Sequence, residues 1–521
     1  MPEPNAGASR QIARQPDRGV GPRDSTAEFG VRDLRRAGSP RKVTRAQNGC
    51  RVTDAVLAFG LLLTPLSQLR FSGLPIGPGE VFLTIWLVLM LGRTAMQRGP
   101  IVTPALARML VFWALFAVAL SIGTMTAFAL DDRHDPIWFL HDAVAYPFLA
   151  AVSCLIVVGP DAEERMRRVA SLLIVLGTGC LALQLADAWG YIGTPHTDAW
   201  YWNRFRGWSE NPEQLALLCA ALALLSLQAF DTVTRPRNRI VAIACGILPI
   251  YVGRLTRTDT FTIVLLAAGP IFAALKVRAW LHSTARTIPL RSAVAWIAVF
   301  ALPLILASAM PLVSSGAGRA TSLAEAMLKD HGRAAAEEAD LRLKLWQQAW
   351  QRGIESGMLG LGPGPHLNIP ASIAVARAIE QRAPKNVPHP AVNGTPNFEA
   401  HNTPLDLFTQ GGILAFLSFL WVVATALVTA YRVRLAGLTT LIGGLFLFGM
   451  SGSIVRQPIF WFAIAFGLAA GTGTQALRRR SAIPLAGART QPLSAAIPPH
   501  ATGRAHRWRG GIDTNSGREL A

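Results

Sequence analysis

The chain has 521 residues, 51% of them hydrophobic and only 16% charged, with a formal net charge of +19 and a mean hydropathy of +0.34. This composition excludes an ordinary soluble chain and points to an all-α integral membrane protein, since long Leu/Ala/Val runs without period-2 alternation make helices rather than a barrel. Much of the positive charge gathers in the tails with no aromatic-basic platform beside it, which argues against nucleic acid and for membrane lipids as a partner.

Residues 1–51 carry Arg10, Arg14, Arg18, Arg35, Arg36, Arg45 and further arginines in Gly-, Pro- and Ser-rich surroundings, and are predicted to be a disordered basic tail. Apolar runs long enough to cross a bilayer follow, near 53–69, 79–95, 104–130, 138–159, 169–190, 212–230, 239–253, 260–275, 293–313, 404–430, 436–451 and 458–474. These about twelve predicted spans divide into a transmembrane bundle over 52–313, a polar loop over 314–403 and a second bundle segment over 404–475. Residues 476–521, with Arg478, Arg479 and Arg480 at their start, are a second disordered basic tail. The first apolar run follows a long basic tail and lacks a small-residue cleavage pattern, so it reads as an uncleaved signal anchor. Four cysteines, Cys154, Cys180, Cys219 and Cys245, lie within apolar runs and Cys50 lies in the tail, so the polar loop has no disulfide framework.

Loop charge orients the bundle. With the N-terminal tail in the cytoplasm, the inner connections are 93–103, 160–168, 231–239, 276–292 and 431–435, each bearing two or more of Arg and Lys. The outer ones are 70–78, 131–137, 191–211, 254–259, 314–403 and 452–457, and both tails fall inside. The expected location is the cytoplasmic (inner) membrane, multi-pass, with both termini cytoplasmic and the 314–403 loop extracytoplasmic. In that loop Ser322-Leu323-Ala324-Glu325 has the form of a capping box, and Arg342, Trp346 and Trp350 recur at four-residue spacing, so 322–356 is predicted to hold one or two helices. The stretch from Gly357 to Pro396, dense in Gly, Pro and Asn, reads as a turn-rich lid.

Ionisable residues crowd the outer helix ends in three clusters: Asn203-Arg204-Phe205-Arg206 through Asn211-Pro212, Gly253-Arg254-Leu255-Thr256-Arg257-Thr258-Asp259, and His401-Asn402. Arginine is always charged and presents a planar fork that suits phosphate oxygens. Two opposite unit charges about 4 Å apart are worth roughly 4 kcal/mol at an effective dielectric near 20, so converging arginines hold a diphosphate without a metal. Each cluster also has a plainer reading. Arg204 and Arg206 serve as interfacial anchors beside Trp202 and Trp208, Arg254 and Arg257 as a loop charge pair with Asp259, and His401-Asn402 as a helix cap. No Cys/His set has metal-ligand spacing, no Walker-type loop is present, and His366 and His389 in the lid read as solvated. His141-Asp142 reads as a structural pair near a helix end.

Taken in order, these segments resemble the O-antigen ligase family, which includes O-antigen polymerases and protein O-oligosaccharyltransferases. The resemblance rests on Arg206-Gly207 with Asn211-Pro212, on Thr256-Arg257 before an apolar helix, and on Arg342 with Trp346 followed by Leu359-Gly360-Leu361-Gly362-Pro363-Gly364. It ends with His401-Asn402, Leu405 and Gly411-Gly412-Ile413. One departure is Thr258-Asp259 where the family's serine-arginine-glycine element has glycine. The resemblance implies metal-independent, inverting glycan transfer from a polyprenyl-diphosphate-linked donor to a glycan or glycolipid acceptor, with no cofactor. It implies His401, Arg257 and Arg206 as catalytic residues and Arg204, Arg254, Asn211, Asn402, Arg342 and Trp346 as substrate-binding. A polymerase using the same donor is the alternative within the class. A polysaccharide transporter or flippase is the rival outside it, and that reading expects charge near mid-membrane.

Overall fold

The computed structural model describes residues 43–71, 76–96, 102–131, 136–159, 161–194, 197–284, 340–368 and 398–482. The predicted run at 293–313, the capping box at 322–325, His389 and almost all of both predicted tails lie outside the described residues.

Twelve described helices follow one another: α1 (Val43–Leu63), α2 (Pro78–Met96), α3 (Pro104–Ala129), α4 (Pro136–Ile156), α5 (Ala162–Ala188), α6 (Pro212–Thr232), α7 (Pro236–Leu255) and α8 (Asp259–Thr284), then α9 over 340–355, α10 (Thr403–Arg432), α11 (Ala436–Gly449) and α12 (Pro458–Ala482). Several begin on a proline, which has no N–H to leave unpaired in the first turn and is pre-set for helical φ. Polar caps fix three starts: Thr103 Oγ1 accepts from Leu106 N at 3.1 Å, Asn211 Oδ1 from Glu213 N at 2.9 Å, and Asn402 Oδ1 from Leu405 N at 3.2 Å.

Eight of these helices are long and apolar enough to cross a membrane: α2 to α8 and α10, with α11 and the Pro458–Ala470 part of α12 as shorter apolar helices. The predicted run at 53–69 is interrupted, because α1 ends at Leu63 and a 3-10 turn, Ser67–Leu69, follows. Outward faces are apolar: Val88, Val118, Ile247 and Leu266 are all more than half exposed. An apolar surface of this extent is what a bilayer covers. Inside, α6 runs through the bundle against α5, α7, α8 and α11, while α3 packs on α10. An aromatic cluster of Phe112, Phe116, Phe419, Phe460 and Trp461 fills the centre, and Trp461 Nε1 donates to Val455 O at 2.7 Å.

Helix α10 is broken at Gly411 and Gly412, whose φ/ψ are −125/18° and 63/−158°. The second conformation is open essentially to glycine alone. Backbone groups freed within a bundle need partners, and they come from the 358–362 segment. Leu361 N donates to Thr409 O at 2.8 Å, Gly362 N to Gln410 O at 2.7 Å, and Ile413 N to Met358 O at 3.0 Å. A Cβ on Gly412 would lie 2.1 Å from Met358 O, and one on Gly360 would lie 2.5 Å from Gln410 O. The two glycine motifs are therefore halves of one interlock. This corrects the lid reading for 360–364, which is buried inside the bundle against α3 and α10. His366 is likewise buried rather than solvated, 3% exposed with Nε2 2.8 Å from Gly362 O.

Candidate functional site

One end of the bundle collects the three motif clusters. A two-residue hairpin, β1 (Trp200–Tyr201) paired antiparallel with β2 (Arg204–Phe205), turns through Trp202 at φ 57°. Arg204, on the second strand, reaches the α7–α8 turn: Nε donates to Thr256 O at 3.1 Å and Nη2 to Thr258 Oγ1 at 3.2 Å. Thr258 is thus a buried acceptor, and the left-handed residue of this turn is Arg257 itself, at φ 51°. The departure from glycine at Thr258-Asp259 is accommodated in this way. Arg257 is exposed, and its guanidinium makes no hydrogen bond or ion pair among the described residues. Arg254, one turn earlier and also exposed, donates to Thr262 Oγ1 at 2.8 Å.

Arg206 is placed differently. It is 5% exposed and its guanidinium is fully engaged: Nε donates to Asp198 O at 2.9 Å, Nη1 to Glu210 O at 3.3 Å, and Nη2 pairs with Asp198 Oδ2 at 3.3 Å. Asn211 and Asn402 are helix caps, and Asn402 Nδ2 also donates to Met450 O at 2.9 Å.

His401 sits just before α10 in a left-handed turn, φ 52°, with its side chain 32% exposed. Left-handed backbone at a non-glycine residue costs about 1–3 kcal/mol and persists where surrounding structure enforces it. That structure is visible here. Ala400 N donates to Asp406 Oδ1 at 2.7 Å, Asn402 caps α10, and Thr403 Oγ1 donates to Gly452 O at 2.7 Å. The ring packs edge-on to Phe398, and Nδ1 lies 3.8 Å from Glu213 Oε2. The same carboxylate takes Arg342 on its other oxygen, Nη2 to Oε1 at 3.3 Å, while Arg342 Nη1 reaches Ser451 O at 3.3 Å. Loop residue Arg342 is thereby joined to α6 and to the α11–α12 turn. Trp346 packs half-buried with Leu345, Ala349, Leu367 and Phe398, and its Nε1 has no hydrogen-bond partner among the described residues. Trp350 stacks on Phe408 with ring centroids 5.2 Å apart.

Two charged residues at this end escaped the sequence reading. Glu213 stands in the first turn of α6, where an acid suits any helix dipole and so gives no signal. Arg456 lies in the α11–α12 turn and donates to Asp142 Oδ2 at 2.6 Å and to Glu399 Oε1. Burial opposes its charge, but the carboxylates of Glu399 and Asp142 outweigh that and hold its pKa well above the usual value. An isolated arginine between two apolar helices is a signal that was available for it. Asp142 belongs to this ion pair as well as to its neighbour His141. Among the described residues no group of three or more His, Cys, Asp or Glu is arranged to hold a metal ion.

An all-α, multi-pass membrane protein with arginines, a strained histidine and a carboxylate gathered at one helix-bundle end is the class defined by this geometry. Residues 243–420, from α7 to the middle of α10, match the family model described as O-antigen ligase. The match covers about a third of the chain's length and contains Arg254, Arg257, Arg342, Trp346, His401 and Asn402. The hairpin arginines and Glu213 lie before it. No curated protein and no solved structure matches the chain. The match supports ligase- or polymerase-type activity in polysaccharide biosynthesis.

Proposed function

We propose that this protein is a membrane glycan ligase. It transfers a saccharide from an undecaprenyl-diphosphate carrier to an acceptor hydroxyl on the outer face of the cytoplasmic membrane. The observation that carries this reading is that one bundle end holds an exposed Arg257, with no hydrogen bond or ion pair among the described residues, and a partly exposed His401, both on left-handed turns. On this reading the bundle has about twelve spans, the motif end faces away from the cytoplasm, and both termini are cytoplasmic. On this reading the 314–403 loop is extracytoplasmic and is flanked by membrane segments 52–313 and 404–475.

In the transfer, the acceptor oxygen attacks the anomeric carbon on the face opposite the diphosphate. The new C–O bond forms as the bond to the phosphate oxygen breaks, inverting the centre. His401 takes the hydroxyl proton, and the lipid diphosphate leaves with the electron pair. Arg257, with Arg254 beside it, neutralises the charge that builds on the leaving group. Arg204 ties the hairpin to their turn, and Arg206 enters through the hairpin that it holds, its own nitrogens being engaged. Asn211 and Asn402 orient Glu213 and His401 as caps, and Arg342 and Trp346 present the loop to the sugar.

The test uses purified protein, a synthetic polyprenyl-diphosphate glycan and a lipid-linked or free glycan acceptor, with EDTA present throughout. Wild-type transfer should proceed. His401→Ala should lose about a hundred- to ten-thousand-fold in turnover while donor binding holds. Activity that vanishes with EDTA and returns with magnesium would overturn the arginine-only account. Substantial turnover by His401→Ala would return His401 to a capping turn. A polymerase shares the donor site, so elongation of a second lipid-linked repeat in this assay would mark that activity instead.

A further inference from the structure

We propose that Glu213 is a positioning residue for the transfer reaction, holding the Nδ1–H of His401 so that Nε2 faces the acceptor hydroxyl. The proposal rests on the reading of His401 as the base. A carboxylate only accepts hydrogen bonds, so the imidazole edge that faces Glu213 is the one that carries the proton. That leaves the Nε2 lone pair as the sole site able to take another. The geometry singles Glu213 out among the charged groups near this turn. Asp406 accepts from Ala400 N on Oδ1, and its buried Oδ2 has no hydrogen-bond partner, the imidazole included, among the described residues; Glu399 takes Arg456, and Asp142 takes Arg456 and His141. Arg342 meets Glu213 rather than the imidazole, and Arg456 faces away toward Asp142 and Glu399.

The two oxygens of Glu213 are divided between two partners from distant parts of the chain. Oε1 meets Arg342 Nη2 at 3.3 Å, and Oε2 faces His401 Nδ1 at 3.8 Å. Its backbone is fixed as well, because Asn211 Oδ1 accepts Glu213 N at 2.9 Å. A helix dipole favours an acid in this turn but does not aim the carboxylate between an arginine and a histidine. The separation from His401 is longer than a hydrogen bond, as catalytic contacts often are before substrate closes the site. Arg342 belongs to the large loop, so loop seating and base orientation meet in one carboxylate. The same carboxylate faces the positive charge that the imidazole gains on taking the acceptor proton.

The experiment compares Glu213→Gln, Glu213→Asp, His401→Ala and the Glu213→Gln/His401→Ala pair as full-length proteins in nanodiscs. Glu213→Gln should lower kcat about ten- to hundred-fold with donor KM unchanged, and should add nothing in the His401→Ala background. Glu213→Asp, which keeps the charge, should recover part of the loss. A Glu213→Gln protein with wild-type kcat, or one whose loss is undiminished on the His401→Ala background, would overturn the proposal. If the glutamate variants do not accumulate, ¹⁵N-histidine spectra of the wild-type protein decide, with the His401 signal assigned by its loss in His401→Ala. The Nδ1–H tautomer is expected and the Nε2–H tautomer refutes. An active His401→Ala removes the base itself. An inactive His401→Ala beside a wild-type-like Glu213→Gln removes only the role of Glu213.

Discussion

Arg456→Met tests the ion pair that ties the His401 turn to α4. Arg456 donates to Asp142, whose side chain is 0% exposed, and to Glu399, which is 22% exposed. Removing one partner of a buried pair costs about 3–5 kcal/mol, because the other charge stays buried without compensation. Two features place the value inside that range. Glu399 retains water and adds little to the cost. Asp142 keeps His141, whose Nδ1 lies 3.0 Å from its carboxylate. The expected loss is therefore near the lower end, about 3 kcal/mol or roughly a hundred-fold in the unfolding equilibrium. SDS-driven unfolding of purified protein in mixed micelles measures it. Adding Asp142→Leu should recover most of the stability, since neither charge is then left buried alone. Activity should stay low, because Glu399, two residues before His401, still lacks its anchor. A single variant as stable as wild type, or a double variant no more stable than the single, refutes the reasoning.

Arg257→Lys keeps the charge but loses the bidentate fork, so it should accumulate normally and lose most transfer activity; near-normal turnover would leave Arg257 with a structural role. Gly412→Ala places a Cβ 2.1 Å from Met358 O at a φ of 63°, and should cost about 3 kcal/mol or more, read as loss of protein surviving a heat step in detergent. Unchanged survival would mean that the interlock is not needed for stability. Cysteine at Lys344, which is exposed, should react with a membrane-impermeant thiol reagent on intact cells when the native cysteines are replaced, whereas cysteine at Arg237 should react only after lysis. The opposite pattern would place His401 in the cytoplasm.

The helical class, the membrane and the order of the apolar segments were legible in the sequence, because a backbone in lipid has to satisfy its own hydrogen bonds within each run. Runs of 20 or so apolar residues then declare themselves one at a time, without reference to any neighbour. The cap at Asn402 was legible for the same reason: Asn402-Thr403-Pro404 acts on the turn that follows it. Three motif clusters at helix ends were legible as candidates, but not as partners. Only the tertiary structure decided that Arg204 reaches Thr256 and Thr258, that Arg206 is already bonded to Asp198, and that Arg257 is left unengaged among the described residues. Glu213 was invisible because its meaning lies in partners more than a hundred residues away, Arg342 and His401, and the lone-arginine signal at Arg456 did not reveal Asp142 as its partner. The glycine motifs mark the limit most clearly. Gly360-Leu361-Gly362 read as part of a turn-rich lid and Gly411-Gly412 as part of an apolar run, and each is held in place because the other supplies the hydrogen bonds that its backbone lacks.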